Sequence, residues 1–245
     1  MTGNTGIDAV LHVRNTLDSG ALPATEWPQL NPQRRLIVVT SHRRENLGPG
    51  FASAMGTLAR IADRPDVEIV YPVHQNPRVL GPAHELLGGR PNVHPIERLS
   101  YVPFIDLMRC PAFLIADSGG TQEEAPSLGK PVRVLRQKTE RPEAVEAGTV
   151  KLVGTDEERI VSEAVRPLED RDEYIRMTRV HNPCGDGRAC GRIAEAISSF
   201  LNRSTSPAEY GPRLQALAER RVVLMRVILM PVILIAEDVL VCYYT

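Results

Sequence analysis

Two adjacent glycines flanked by acids and hydroxyls are the most chemically suggestive feature of this chain, in the run Asp117-Ser118-Gly119-Gly120-Thr121-Gln122-Glu123-Glu124-Ala125-Pro126. Lacking Cβ atoms, Gly119 and Gly120 let a phosphate come close to the backbone. A helix opening beside them would offer free N–H groups and the positive end of its dipole to an anion. Ser118 adds a hydroxyl donor, and Glu124, near the expected helix start, a carboxylate able to accept from ribose hydroxyls. The plain alternative is a strand–turn–helix with acidic first-turn residues, because a short glycine loop carries little information alone.

Three other clusters have chemical potential. His42-Arg43-Arg44-Glu45-Asn46 puts two guanidinium forks, which pair oxyanions, beside an imidazole that can donate to phosphate or move a proton near neutral pH. In His74-Gln75-Asn76-Pro77, Asn76 and Pro77 suit the cap and first position of a helix, leaving His74 for a ligand. Residues 136–143 form a charged loop in which Arg141 is the best placed to reach a phosphate or sugar. Each has a structural alternative: a solvated basic loop, a helix cap, a surface loop. His12, His84, His94 and His181 lack such surroundings and read as structural or exposed.

These clusters follow short apolar, β-branched runs. Arg35–Thr40, Val67–Val73, Val93–Ile96, Ala112–Ala116, Val132–Leu135 and Val150–Val153 read as strands buried on both faces. Helical stretches are expected near residues 50–62, 77–87, 102–109, 121–128, 156–168, 171–178 and 189–201. Another begins near Ile7, capped by Asn4 or Thr5, and a proline-bearing connector at residues 20–34 holds Trp27. Strands alternating with helices over short connections specify an α/β fold, a Rossmann-like parallel sheet with helices on both faces. Such sheets bind ligands in the crevice at the carboxyl ends of their strands, where the clusters above fall.

Composition narrows the function classes. With 29 basic and 30 acidic side chains among 245 residues, the chain lacks the basic excess of a general nucleic-acid binder. Aromatic residues are 4%, which argues against stacking platforms for single strands. The four cysteines make no CxxC pair or zinc-type spacing, so they read as thiols in a reducing compartment, with no metal site. No signal peptide opens the sequence.

The strings SHRREN, YPVHQNP, DSGGTQEEAPSLGKPV and TERPEAVEAGT closely resemble the non-hydrolysing UDP-N-acetylglucosamine 2-epimerases, as do TGNTGIDAV near the start and NPCGDGRACGRI near the end. The resemblance runs from Met1 to about Leu201. It implies a GT-B-type architecture, two Rossmann-like domains facing a cleft, of which this chain carries the carboxyl-terminal half. It also implies interconversion of UDP-N-acetylglucosamine and UDP-N-acetylmannosamine, through elimination of UDP to a 2-acetamidoglucal and re-addition, with no cofactor and no metal. Members are typically cytoplasmic homodimers feeding surface polysaccharides. Matched by motif, Ser118, Gly119 and Gly120 would hold the UDP phosphates, Glu124 the ribose, Phe104 would lie by the uracil, and Arg141 would reach the nucleotide-sugar. His42 matches the histidine that assists cleavage of the bond to UDP, and Arg43 and His74 match residues that bind a second, activating UDP-N-acetylglucosamine.

The resemblance also sets expectations of domain content. TGNTGIDAV belongs near the family's domain junction, so residues 1–34 read as interdomain helix and connector and residues 35–201 as the UDP-binding domain. The family's proton-moving carboxylates belong to the other domain. Weak or absent epimerase activity is therefore expected of this chain alone, unless a separate amino-terminal half joins it. A UDP-sugar-binding module without catalysis and a fragment of a GT-B glycosyltransferase are the competing readings. Residues 202–245 match nothing in the family. Their apolar run, residues 221–236, is interrupted by Arg226 and Pro231 and ended by Glu237-Asp238. That falls short of the about 20 apolar residues a spanning helix needs. An artefactual or divergent tail that packs on the domain or aggregates is expected, without membrane insertion.

Overall fold

The structure, a computed structural model, describes residues 2–27, 29–41, 49–73, 81, 83, 85–179 and 181–204. Six strands form one sheet: β1 (Arg35–Thr40), β2 (Val67–Pro72), β3 (Val93–Ile96), β4 (Phe113–Ala116), β5 (Val132–Val134) and β6 (Val150–Leu152). Every neighbouring pair is parallel and the order is β3-β2-β1-β4-β5-β6. Ile37 sits level with Ile69 on one side and Phe113 on the other. The first three strands step outward from β1, and the chain then crosses back to lay β4 against the other edge of β1. The point where the order reverses therefore lies between the carboxyl ends of β1 and β4.

Among the described residues, eight helices of defined extent flank the sheet: α1 (Thr5–Asp18), α2 (Pro49–Ala62), α3 (Tyr101–Arg109), α4 (Gly119–Glu124), α5 (Pro142–Glu146), α6 (Glu157–Glu169), α7 (Arg171–Thr178) and α8 (Ala189–Ser204), with a 3-10 turn at Ala125–Leu128. Gly81, Ala83 and residues 85–87 are also helical. The two-residue period of a strand feeds two apolar layers. Ile37 and Val39 pack with Met55, Leu58 and Ile61 of α2 and with Ile160 and Ala164 of α6. Val38, between them, packs on the other face with Val10 and Val13 of α1 and Ile105 and Met108 of α3. The apolar run of β1 is thus explained by burial on both faces.

Capping fixes the helix ends. Asn4 accepts from the Gly6 amide at 2.8 Å and opens α1. Asp170 accepts from the amides of Asp172 and Glu173 at 3.0 and 2.9 Å, turning the chain from α6 into α7. The connector is held by Asp106, which accepts from the Thr25 amide at 2.5 Å, while Leu22, Trp27 and Leu30 rest on the α1–α3 layer.

Two segments differ from the sequence reading. The helix expected at residues 121–128 begins at Gly119 and tightens to a 3-10 turn after Glu124, at Pro126, which cannot donate to a preceding carbonyl. Glu124 consequently ends α4 and does not lie near its start. The charged loop at residues 136–143 closes into α5, with Pro142 at its first position.

Candidate functional site

Three strand ends are tied together at the reversal point. The Asp117 amide donates to the Thr40 carbonyl at 3.0 Å, joining the exits of β4 and β1. The buried Ser41 hydroxyl donates to Asp117 Oδ2 at 3.1 Å. From β2, the Tyr71 hydroxyl donates to the Ser41 carbonyl at 2.6 Å. Burial, reinforced by the nearby Asp117 charge, pushes the Tyr71 phenol above its ordinary range, so it stays a donor at any physiological pH. Ser41 immediately precedes the His42–Asn46 motif in sequence, so this lattice fixes the end of β1 against Asp117.

Asp117, Ser118, Thr121 and Gln122 are buried, and Gly119 and Gly120 form the first turn of α4. The Ser118 hydroxyl accepts from the Thr121 amide at 3.5 Å, keeping its own hydrogen to give. The first N–H groups of a helix have no acceptor within it. Gln122 donates to the Ser118 carbonyl at 3.0 Å and accepts from the Thr139 hydroxyl at 2.6 Å, and Thr139 in turn accepts from the Arg141 amide at 3.1 Å. This chain of bonds sets the loop after β5 against α4.

Glu123 is the hub of a second network. Its carboxylate pairs with the Arg141 guanidinium and accepts from Asn4 Nδ2 at 2.5 Å. Its backbone carbonyl accepts from Asn182 at 2.7 Å. Three motifs far apart in sequence thereby meet. Close approach is part of the fit: a Cβ on Gly187, at φ +77°, would come within 2.5 Å of Leu11. Asp8 completes the arrangement by accepting from the amides of Ala189 and Cys190 at 3.0 and 2.8 Å, opening α8.

Glu124 stands apart. Its Oε2 is buried and has no hydrogen-bond partner among the described residues. Burial, with the neighbouring Glu123 charge, pushes its carboxyl up to about 8. It is a neutral acid, or a carboxylate waiting for donors.

The structure thus brings Ser118, Gly119, Gly120, Glu124 and Arg141 to the same end of the sheet. Phe104 lies on α3 with 6% of its surface exposed, within the α1–α3 layer. His42, Arg43 and His74 lie outside the described residues, as do residues 205–245. Ser41, Tyr71, Gln122, Glu123 and Thr139 were not singled out from the sequence. Glu123 sits beside Glu124, and spacing alone does not say which carboxyl is spent on internal bonds. Among the described residues, no group of three or more His, Cys, Asp or Glu side chains could hold a metal ion. No helix there is long and apolar enough to cross a membrane.

A family model described as UDP-N-acetylglucosamine 2-epimerase matches residues 1–198. The UDP-N-acetylglucosamine 2-epimerase of Escherichia coli K12 is 52% identical over 204 residues, covering 81% of this chain and 54% of that protein. The crystal structure of the Neisseria meningitidis UDP-GlcNAc 2-epimerase bound to UDP-GlcNAc superposes with a TM-score of 0.76 at 41% identity, over 81% of this chain and 55% of the other. The Staphylococcus aureus MnaA–UDP co-structure matches equally well, with a TM-score of 0.76 at 39% identity, over 82% of this chain and 54% of that one. The chain therefore spans about half the length of the curated relatives it matches.

Proposed function

The chain belongs to the UDP-N-acetylglucosamine 2-epimerase family, and on that premise we propose that it supplies the UDP-holding wall of a site interconverting UDP-N-acetylglucosamine and UDP-N-acetylmannosamine. The observation that carries this is the Asp117–Glu124 segment at the β1/β4 reversal. There the first turn of α4 meets the strand ends, and the buried Oε2 of Glu124 has no hydrogen-bond partner among the described residues. The phosphates lie at Ser118, Gly119 and Gly120, the ribose hydroxyls donate to Glu124, the uracil rests by Phe104, and Arg141 reaches the nucleotide-sugar. His42 assists the departure of UDP as the C1–O bond breaks, and Arg43 and His74 hold an activating UDP-N-acetylglucosamine. In this reading residues 1–34 are the interdomain helix and connector, and residues 35–201 the UDP-binding domain.

The reaction also takes the C2 proton from one face of the sugar and returns one to the other, which needs acid and base groups on both sides. Of the acids described here, Asp117 is bonded to Ser41 and Glu123 to Arg141 and Asn4, and in this reading Glu124 is taken by the ribose. Proton transfer thus falls to groups on the facing wall, supplied by another domain or a separate amino-terminal half. A nucleotide-sugar substrate and free thiols suit the cytoplasm, and a homodimer fits the same reading.

Calorimetric titration with UDP, combined with deuterium incorporation at C2 of UDP-N-acetylglucosamine in heavy water, tests this. The chain should bind UDP, and C2 exchange should appear only when the amino-terminal domain of a relative is added. Absence of UDP binding would overturn the site, and full exchange by the chain alone would overturn the division of labour. Binding with no exchange even after addition would favour a module without catalysis.

A further inference from the structure

The end of the sheet opposite the strand-end site holds a cavity of about 420 Å³, bounded by the connector, the segment after α3, the entrances of β1, β2, β4 and β5, and α7. It is separated from the β1/β4 reversal by the length of a six-residue strand, about 20 Å. Its volume is in the range of small-molecule sites, about 300–1,000 Å³. Leu36 and Pro111 give it an apolar wall.

The charges around it are unbalanced. Arg34, Arg35 and Lys130 line it against a single carboxylate, Glu68. Glu68 is already shared between Arg34 at 3.1 Å and His94 at 2.6 Å. Arg35 is paired with Asp66. Lys130 makes no side-chain hydrogen bond or ion pair among the described residues, and the same is true of the Tyr174 hydroxyl. A half-buried ammonium without an acid costs free energy that an entering anion would restore. Burial accordingly pulls the Lys130 amine below its ordinary value and pushes the Tyr174 phenol up.

We propose that this cavity binds a small oxyanion with an apolar body, a carboxylate or a phosphate monoester, through Lys130 and Tyr174, independently of the nucleotide site. An ammonium and a phenol hydroxyl both donate to such a head group, and the leucine and proline wall takes the remainder.

The chain has three lysines, Lys130, Lys138 and Lys151, so amine acylation can be followed residue by residue by peptide mass spectrometry. The full chain is treated with a water-soluble N-hydroxysuccinimide acetate in the presence of saturating UDP. Benzoate or inorganic phosphate is added as probe, and chloride of matched ionic strength serves as control. Lys130 acylation should slow about tenfold when the effective anion reaches about ten times its dissociation constant. Lys138 and Lys151 should be unaffected, and Tyr174→Phe should require more anion for the same protection. Protection by benzoate alone assigns a carboxylate, and by phosphate alone a phosphate. The proposal is overturned if neither anion protects, if all three lysines slow alike, if protection disappears when UDP is present, or if Lys130 does not react at all. UDP affinity reads the other end of the sheet, so either site can fail without the other.

Discussion

Replacing Glu124 by glutamine should stabilise the protein, and by an amount that depends on pH. Its carboxyl holds a proton up to about 8 because of burial and the neighbouring Glu123, where 4.5 is the ordinary value. The unfolded chain releases that proton near 4.5, so between 4.5 and about 8 the folded state binds more protons, and stability from this group falls as pH rises. Each pH unit of that window is worth about 1.4 kcal/mol, giving an upper bound on the order of 5 kcal/mol at pH 8. The residue as a whole is half-buried although its Oε2 is enclosed, so solvent reduces the penalty to a few kcal/mol. Glutamine has nearly the same shape and never ionises. Urea denaturation of wild type and Glu124→Gln at pH 5, 6, 7 and 8 should therefore show curves that nearly coincide at pH 5 and separate progressively, with the variant the more stable. Saturating UDP should narrow the gap at pH 8, because ribose hydroxyls donating to the ionised carboxylate relieve the same penalty. A difference independent of pH, or a variant less stable at pH 8, would refute the reasoning.

Two further substitutions probe what holds the site in place. Tyr71→Phe removes the 2.6 Å bond to the carbonyl of the buried Ser41, the one bond that carbonyl accepts among the described residues, which should cost about 1–3 kcal/mol in urea denaturation and weaken UDP binding by loosening Ser41 against Asp117. Arg133 is fully buried on β5, donating to the Glu163 carbonyl at 2.9 Å and to Glu173 at 3.1 Å. Arg133→Ala should lose about 3–5 kcal/mol by the same assay. Arg133→Met should lose less, since it fills the space and Glu173 keeps Arg166 at 3.0 Å.

The sheet was legible because its signal is local. A run such as Leu36-Ile37-Val38-Val39, short and apolar throughout, has few alternatives to a strand buried on both faces, and β1 and β3 were read at their observed bounds. Expecting a candidate ligand site at the strand ends follows from topology. Helix α5 was missed because its charged residues outweighed Pro142, a helix-start signal that was present. Arg133 looked like an ordinary strand position, and only the packing of α6 and α7 over β5 shows that its charge is enclosed. The roles of Glu123 and Glu124 separate for the same kind of reason. Asn4 and Arg141 are 119 and 18 residues from Glu123, and no local pattern reveals that both fall on one carboxylate and neither on its neighbour.

The central claim, that UDP is held at the β1/β4 reversal by the Asp117–Glu124 segment, is tested most directly by titrating the isotopically labelled chain with UDP and following backbone amide resonances. The amides of Ser118, Gly119, Gly120 and Thr121 should shift together and saturate on one binding curve, with those of Arg35, Leu36 and Lys130 at the opposite end of the sheet unmoved. Saturable shifts at that opposite end, with the Ser118–Thr121 amides still, would contradict the account.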